Sequence, residues 1–390
     1  MTVVLLITIG VWGYAYAGYP LLLMAAAARR PRPAPPSAPA ELPLVTITVP
    51  AYNEVATIGD TIERLLGVDY PAHLRHIVVI SDASTDGTDD VVQSYAERGV
   101  ELLRMPRRSG KTAAENAART ALRGEIVVNT DASVRVDPAA VRHLVAALAD
   151  PTVGVASGRD VSTGRAQGST SPGESAYVGY EMWVRDLETR VDGIVGASGC
   201  LYAIRAELHR HALPEHLSRD FAAALVARRH GFRAVSVPAA ICYVPQSTSL
   251  RREYRRKVRT MARGLATLWY ARGLLDIRRY RLFAWMLASH KLCRWLLPWT
   301  VAAVVGVALV TARESAIARI VLGFAAVGAL ATAATWRREA AGRPVPRAIS
   351  MIAFTTAGLA AGLQAWLHLL SGRRAATWEP TRRQPTSVTG

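Results

Sequence analysis

Cysteine is scarce in this 390-residue chain: Cys200, Cys242 and Cys293 are the three, widely spaced and without a CxxC pair. That excludes a disulfide framework and a cysteine-built zinc site, and suits reduced thiols in a cytosolic or membrane setting. Acidic residues are also short, with 30 Asp and Glu against 47 Lys and Arg and a net charge of +17. Such a balance favours anionic partners: a membrane surface, phosphates or nucleic acid. Charge of either sign is missing from 2–28, 295–312, 320–336 and 348–372. No internal repeat is present.

Spanning a bilayer takes roughly 20 apolar residues. The first and last uncharged stretches reach that length; the middle two are shorter but adjacent, as packed spans often are. No Lys or Arg precedes the first stretch, and it is too long for the apolar core of a cleaved signal, so it reads as an uncleaved anchor. Arg29, Arg30 and Arg32 follow it, which places the amino terminus outside and the next domain in the cytoplasm. The basic loop 337–347 belongs inside too. Three later spans would leave the tail outside, yet Arg373, Arg374, Arg382 and Arg383 favour the inside. An extra crossing within 282–312, broken at Pro298, would reconcile the two.

Six segments follow from composition. They are an N-terminal transmembrane helix (1–28), a Pro-rich linker (29–43), a soluble domain (44–250), basic and interfacial helices (251–294), about three transmembrane helices (295–372) and a polar tail (373–390). In the soluble domain, strand patterns at 44–50, 76–81, 100–104 and 126–130 alternate with helical ones at 56–66, 88–98, 111–123 and from Pro138 onward. This rhythm predicts βαβ units and a mostly parallel sheet. TVGVAS extends the sheet, 160–175 reads as a mobile loop, and 177–191 as a helix. A strand CLYAIR, a helix over 218–230 and a strand AVSVP close the domain.

Three strand ends carry polar groups: VPAYNE (49–54), SDASTDGT (81–88) and NTDAS (129–133). In an open parallel sheet these ends share the ligand-binding edge. Carboxylates gathered there suit a hard divalent cation and the phosphates it carries, and so a nucleotide-type substrate. SGKT (109–112) is not a P-loop, because Met105 stands where that motif needs glycine.

These motifs, followed in order by SGKTAAENAA, DPTVGVASGRD, SGCLYAIR, SRDFAAALVARRHGF and RRKVRTMARG, resemble the family 2 glycosyltransferases. The likeness runs over about 44–264. It implies an α/β GT-A fold, a Rossmann-like and mostly parallel sheet, on the cytoplasmic side with transmembrane helices before and after it. It assigns Pro50, Tyr52 and Glu54 to the base and ribose of a nucleotide-sugar, and Asp82 to the pyrimidine. Asn53 and Asp86 read equally as helix caps. Lys111 approaches a phosphate or is a solvated helix-start lysine. The metal element has Asp131 but Ser133 in place of the second carboxylate; the two would hold Mg2+ or Mn2+, or Ser133 merely starts a turn. Asp220 aligns with the general base, an assignment compatible with an N-cap role, and Arg219 precedes it where the family has an acid. Gly199 and Cys200 would line the acceptor. Arg256 and Arg259 would neutralise diphosphate, though the Gln and Trp of the processive QxxRW element are absent.

The resemblance therefore implies an inverting transfer of sugar, with UDP-sugar the leading donor. The acceptor would be a lipid-linked or other saccharide at the cytoplasmic face of the cell membrane, in surface polysaccharide or glycolipid synthesis. A processive exopolysaccharide synthase is the second reading. A membrane-anchored nucleic-acid binder is the third, disfavoured because the acidic edge repels a polyanion and no nucleic-acid module is visible. Membrane lipids are expected partners, nucleic acid is not.

Overall fold

A computed structural model describes residues 1–30, 39–163, 172–245 and 249–373. The chain divides into two compact units. Of the described residues, one unit holds 1–29, 172–177 and 249–373, and the other holds 30, 39–163 and 178–245.

After the apolar helix α1 (Thr2–Ala28) the chain enters the sheet-bearing unit. Its elements in order are β1 (Val45–Ala51), α2 (Ile58–Leu66), β2 (Arg75–Ser81), α3 (Thr88–Gln93), β3 (Val100–Arg104), α4 (Lys111–Ala117), β4 (Ile126–Thr130) and β5 (Arg135–Val136). They continue as α5 (Ala140–Leu148), β6 (Val153–Thr163), α6 (Pro172–Val191), β7 (Leu201–Arg205), α7 (Arg219–Arg229) and β8 (Arg233–Pro245). The eight strands form one sheet in the order β3-β2-β1-β4-β7-β6-β8-β5. β1 pairs in parallel with β2 on one side and β4 on the other, so the strand order reverses at β1. Ligands bind at such a switch point, beyond the carboxyl ends. β7 runs antiparallel to both β4 and β6, and β5 antiparallel to β8.

Alternation explains the two buried faces. Ile77 and Val79 of β2 join the large core of Ile47, Ile62 and Leu144, while Val78 and Ile80 meet Ala114 and Ala118 on the opposite face. On β1, Val45, Ile47 and Val49 feed the first core, whereas Thr46 and Thr48 are buried on the other side. Their hydroxyls bond Arg123 O and Asn129 Oδ1, so that face is polar but satisfied.

Several elements differ from the sequence reading. The helices after β2 and β3 are shorter than periodicity suggests, each ending in a 3-10 turn, at Ala96–Arg98 and Ala118–Thr120. β6 continues through Thr163 into the stretch read as a loop, and β8 is 13 residues long, well beyond AVSVP. Most of the remaining loop, 164–171, lies outside the described residues.

The second unit contains α1, α8 (Leu250–Tyr270), α9 (Ile277–Thr311), α10 (Ala316–Ala340) and α11 (Arg347–Leu370). Of these, α1, α9, α10 and α11 are long and apolar enough to cross a membrane. α9 stays helical through Pro298, so the proline marks no break in it; its irregular points are Arg281, at φ 46° and ψ −116°, and the π-helical turn Ala288–Cys293. Gly362 makes room for the proline, since a Cβ there would stand 2.5 Å from Pro298 Cγ. Glu339 of α10 caps α8 by accepting from Leu250 N at 2.9 Å.

Candidate active site

The edge beyond β1, β2 and β4 is built by backbone turns that only some residues tolerate. Asn53 sits at φ 53°, its N–H donating to Ser84 Oγ and its Oδ1 accepting from Thr85 N, so it ties two strand ends together rather than capping a helix. Asp86 accepts from Thr88 N and Val55 N. Burial opposes its ionisation, but these hydrogen bonds hold the carboxyl below its usual range. Glu54 is buried and accepts from Thr57 Oγ1 at 2.8 Å. Tyr52 follows Pro50 and Ala51 at the end of β1, and the Arg108 guanidinium lies 4.0 Å above its ring.

Asp82 is buried at the end of β2. Its two oxygens accept from Ser109 N at 2.7 Å and Gly110 N at 2.8 Å, gripping the turn that starts α4. Gly110 is at φ 93° and ψ 167°, a conformation reserved for glycine. The next residue, Lys111, thereby points its ammonium to Asp131 Oδ1 at 2.5 Å and Gly199 O at 2.9 Å. Gly199 faces Asp220: a Cβ added there would lie 3.0 Å from Asp220 Oδ2. Asp220 lies in the first turn of α7, where its Oδ1 accepts from Ser218 Oγ at 2.5 Å. Cys200 O accepts from Thr130 Oγ1, fixing that strand beside Asp131. Ser133 is half-buried in the turn after β4.

The structure thus brings Lys111, Asp131, Gly199, Cys200 and Asp220 together, with Asp82 holding the loop that aims Lys111. Arg256 and Arg259 belong to the other unit, on α8, where Arg256 forms two 2.8 Å bonds to Glu253.

Beneath the cluster runs a buried polar layer that the sequence reading passed over. Glu115, one helical turn beyond Lys111, is fully buried; neither oxygen accepts a hydrogen bond, and Arg219 Nε lies 4.0 Å away. Burial pushes its carboxyl up, against the pull of Lys111 and Arg219. Arg219 donates to Asn116 Oδ1 and His209 O at the root of α7. His209 meets Asn129 Oδ1 at 3.1 Å, and burial drives its imidazole well below the usual value, with Arg219 and Arg119 adding to the effect. For Lys111 itself, burial works against the charge, but Asp131, Glu115 and Asp220 outweigh it and hold the ammonium above its ordinary range.

Asp131 and Ser133 offer hard oxygen donors of the kind Mg2+ or Mn2+ accepts. However, among the described residues no three His, Cys, Asp or Glu gather as metal ligands. One Asp131 oxygen is also bonded by Lys111. This donor set fits an ion that brings phosphate oxygens and water as most of its shell. It does not fit an ion caged by protein.

Residues 46–210 match the family model described as Glycosyl transferase family 2. The chain carries a family 2 glycosyltransferase domain. Among its relatives, a beta-monoglucosyldiacylglycerol synthase of a Nostoc species is 28% identical over 158 residues, covering 39% of this chain and 34% of that protein. An N-acetylglucosaminyltransferase of Mesorhizobium japonicum is 26% identical over 255 residues, 60% of this chain and 59% of the relative. The match thus spans about a third of the length of the first of these and somewhat over half of the second. A mannosyltransferase of Pyrobaculum calidifontis, solved with GDP-Man and Mn2+, superposes with a TM-score of 0.73 over 95% of this chain and 100% of its own, at 24% identity. That likeness is one of fold, and the sheet of this family 2 domain is of the GT-A type.

Proposed function

We propose that this chain is an inverting glycosyltransferase that moves a sugar from a nucleoside-diphosphate donor to a lipid-linked or saccharide acceptor. Its sheet-bearing unit would work on the cytoplasmic face of the cell membrane. The observation that carries the reading is the convergence of a cation, two carboxylates and an open glycine. Lys111 joins Asp131 to Gly199, and Gly199 leaves clear the approach to Asp220. The Nostoc relative is named for a lipid product, and the apolar helices of this chain agree with an acceptor held at a membrane.

In this reading the donor's base and ribose lie against Tyr52, Glu54 and Asp82, with the diphosphate toward Lys111 and Asp131. Asp220 takes the proton of the acceptor hydroxyl as that oxygen forms its bond to the anomeric carbon. The bond from that carbon to the phosphate oxygen breaks, and the nucleoside diphosphate leaves with the electron pair. Lys111 stabilises the charge that develops there. A divalent ion carried with the diphosphate and held by Asp131 and Ser133 would supply further neutralisation. Gly199 and Cys200 border the acceptor's approach.

A donor screen on the purified protein in detergent tests this directly. With Mg2+ or Mn2+ present, at least one nucleotide-sugar should release its nucleoside diphosphate and give a product heavier by one sugar. Salt-sensitive binding of RNA, with no release from any donor, would overturn it.

A further inference from the structure

Asp131 is the carboxylate on which a cation at this edge depends, because Ser133 stands where a second would be. Yet one of its oxygens already has a cation, the Lys111 ammonium at 2.5 Å. Nor is that contact incidental. Lys111 is placed by a glycine-only backbone turn at Gly110, by the hydrogen bonds that Ser109 N and Gly110 N donate to Asp82, and by its own hydrogen bond to Gly199 O. Its side chain and that of Asp131 are each about a quarter exposed, so the pair faces the site rather than the core.

A divalent ion arriving alone would find Asp131 already engaged by a fixed positive charge. Like charges at such range oppose each other strongly. A nucleoside diphosphate changes the balance, because its oxygens attract both the ion and the ammonium. Given the donor-site reading above, we propose that Lys111 is a resident counter-ion of Asp131. It keeps divalent cations off the site until a nucleoside diphosphate arrives, then passes from the carboxylate to phosphate. Cation and nucleotide therefore bind as one unit, each raising the affinity of the other by the same factor.

The test measures Mn2+ binding to the full-length protein in detergent, from the loss of the free-ion paramagnetic signal, without nucleotide and then with UDP or GDP. Wild type should bind Mn2+ at least about tenfold more tightly with the nucleotide than without it. Lys111→Met should bind Mn2+ alone at least about tenfold more tightly than wild type does, while its nucleotide affinity falls. Opposite signs from one substitution are not what loss of folding produces. Lys111→Arg keeps the charge and should exclude the free ion as wild type does. Asp131→Asn should remove the Mn2+ sites in both conditions. Equal Mn2+ affinity in wild type and Lys111→Met, or joint loss of Mn2+ and nucleotide binding in Lys111→Met, would overturn the counter-ion role alone. Failure of wild type to bind any nucleoside diphosphate would overturn the donor site, and the counter-ion role with it.

Discussion

His209 is a residue with no room for a second proton. Its Nε2 bonds Asn129 Oδ1, while its Nδ1 is buried and has no hydrogen-bond partner. Folded, it stays neutral well below the pH at which an unfolded histidine protonates, about 6.5. The unfolded chain therefore takes the proton first, and stability falls as pH drops below about 6.5. Glu115 has the opposite sign: its raised carboxyl contributes stability at low pH that is lost as pH climbs through the folded value. Comparing melting temperatures of wild type and His209→Gln cancels the Glu115 contribution. The wild-type advantage should shrink from about pH 7.5 to about pH 5.5; a constant difference would contradict the buried neutral imidazole. Much at this scale was legible. The ordered motifs singled out Asp131, Lys111 and Asp220, and the structure brings the three side chains to one place. Glu115 and Arg219 were passed over as a layer because their meeting depends on α4 and α7 packing together, which no local pattern encodes. The Arg256 pairing was visible in principle, since Glu253 precedes it at the i,i+3 spacing.

Among the elements, β1, β2 and β4 stood out in the sequence because strands buried on both faces read as continuous apolar runs. The antiparallel insertion of β7 between β4 and β6 did not, since strand direction leaves no mark on side-chain periodicity. Nor did the early ends of α3 and α4, where alanine- and charge-rich sequence continues past the last full turn. α4 matters most for the site, because its first residue is Lys111 and its entry turn is Gly110. Gly110→Ala should cost about 1–3 kcal/mol, because its backbone conformation is nearly closed to residues with a Cβ. A thermal melt of the full-length protein checks this. An unchanged melting temperature would show that the turn relaxes freely. Nucleotide affinity should fall as well, since the displaced turn carries Lys111 off its line to Asp131.

For the whole molecule, hydropathy located the apolar helices, but α9 shows the limit of that reading. Proline removes one helical hydrogen bond, which suggested a break, yet a glycine on a neighbouring helix accommodates Pro298. Net charge indicated anionic partners without deciding among them; the ordered strand ends pointed to a nucleotide-type ligand. Membrane helices, sheet edge and acidic residues make one account only if Asp220 acts on an acceptor hydroxyl. The most direct measurement is therefore Asp220→Asn in the detergent-purified protein, with donor binding by calorimetry and transfer by product mass. The account predicts transfer lower by ~10²–10⁴-fold with donor affinity essentially unchanged. Parallel loss of binding and transfer, or transfer that persists, would contradict it.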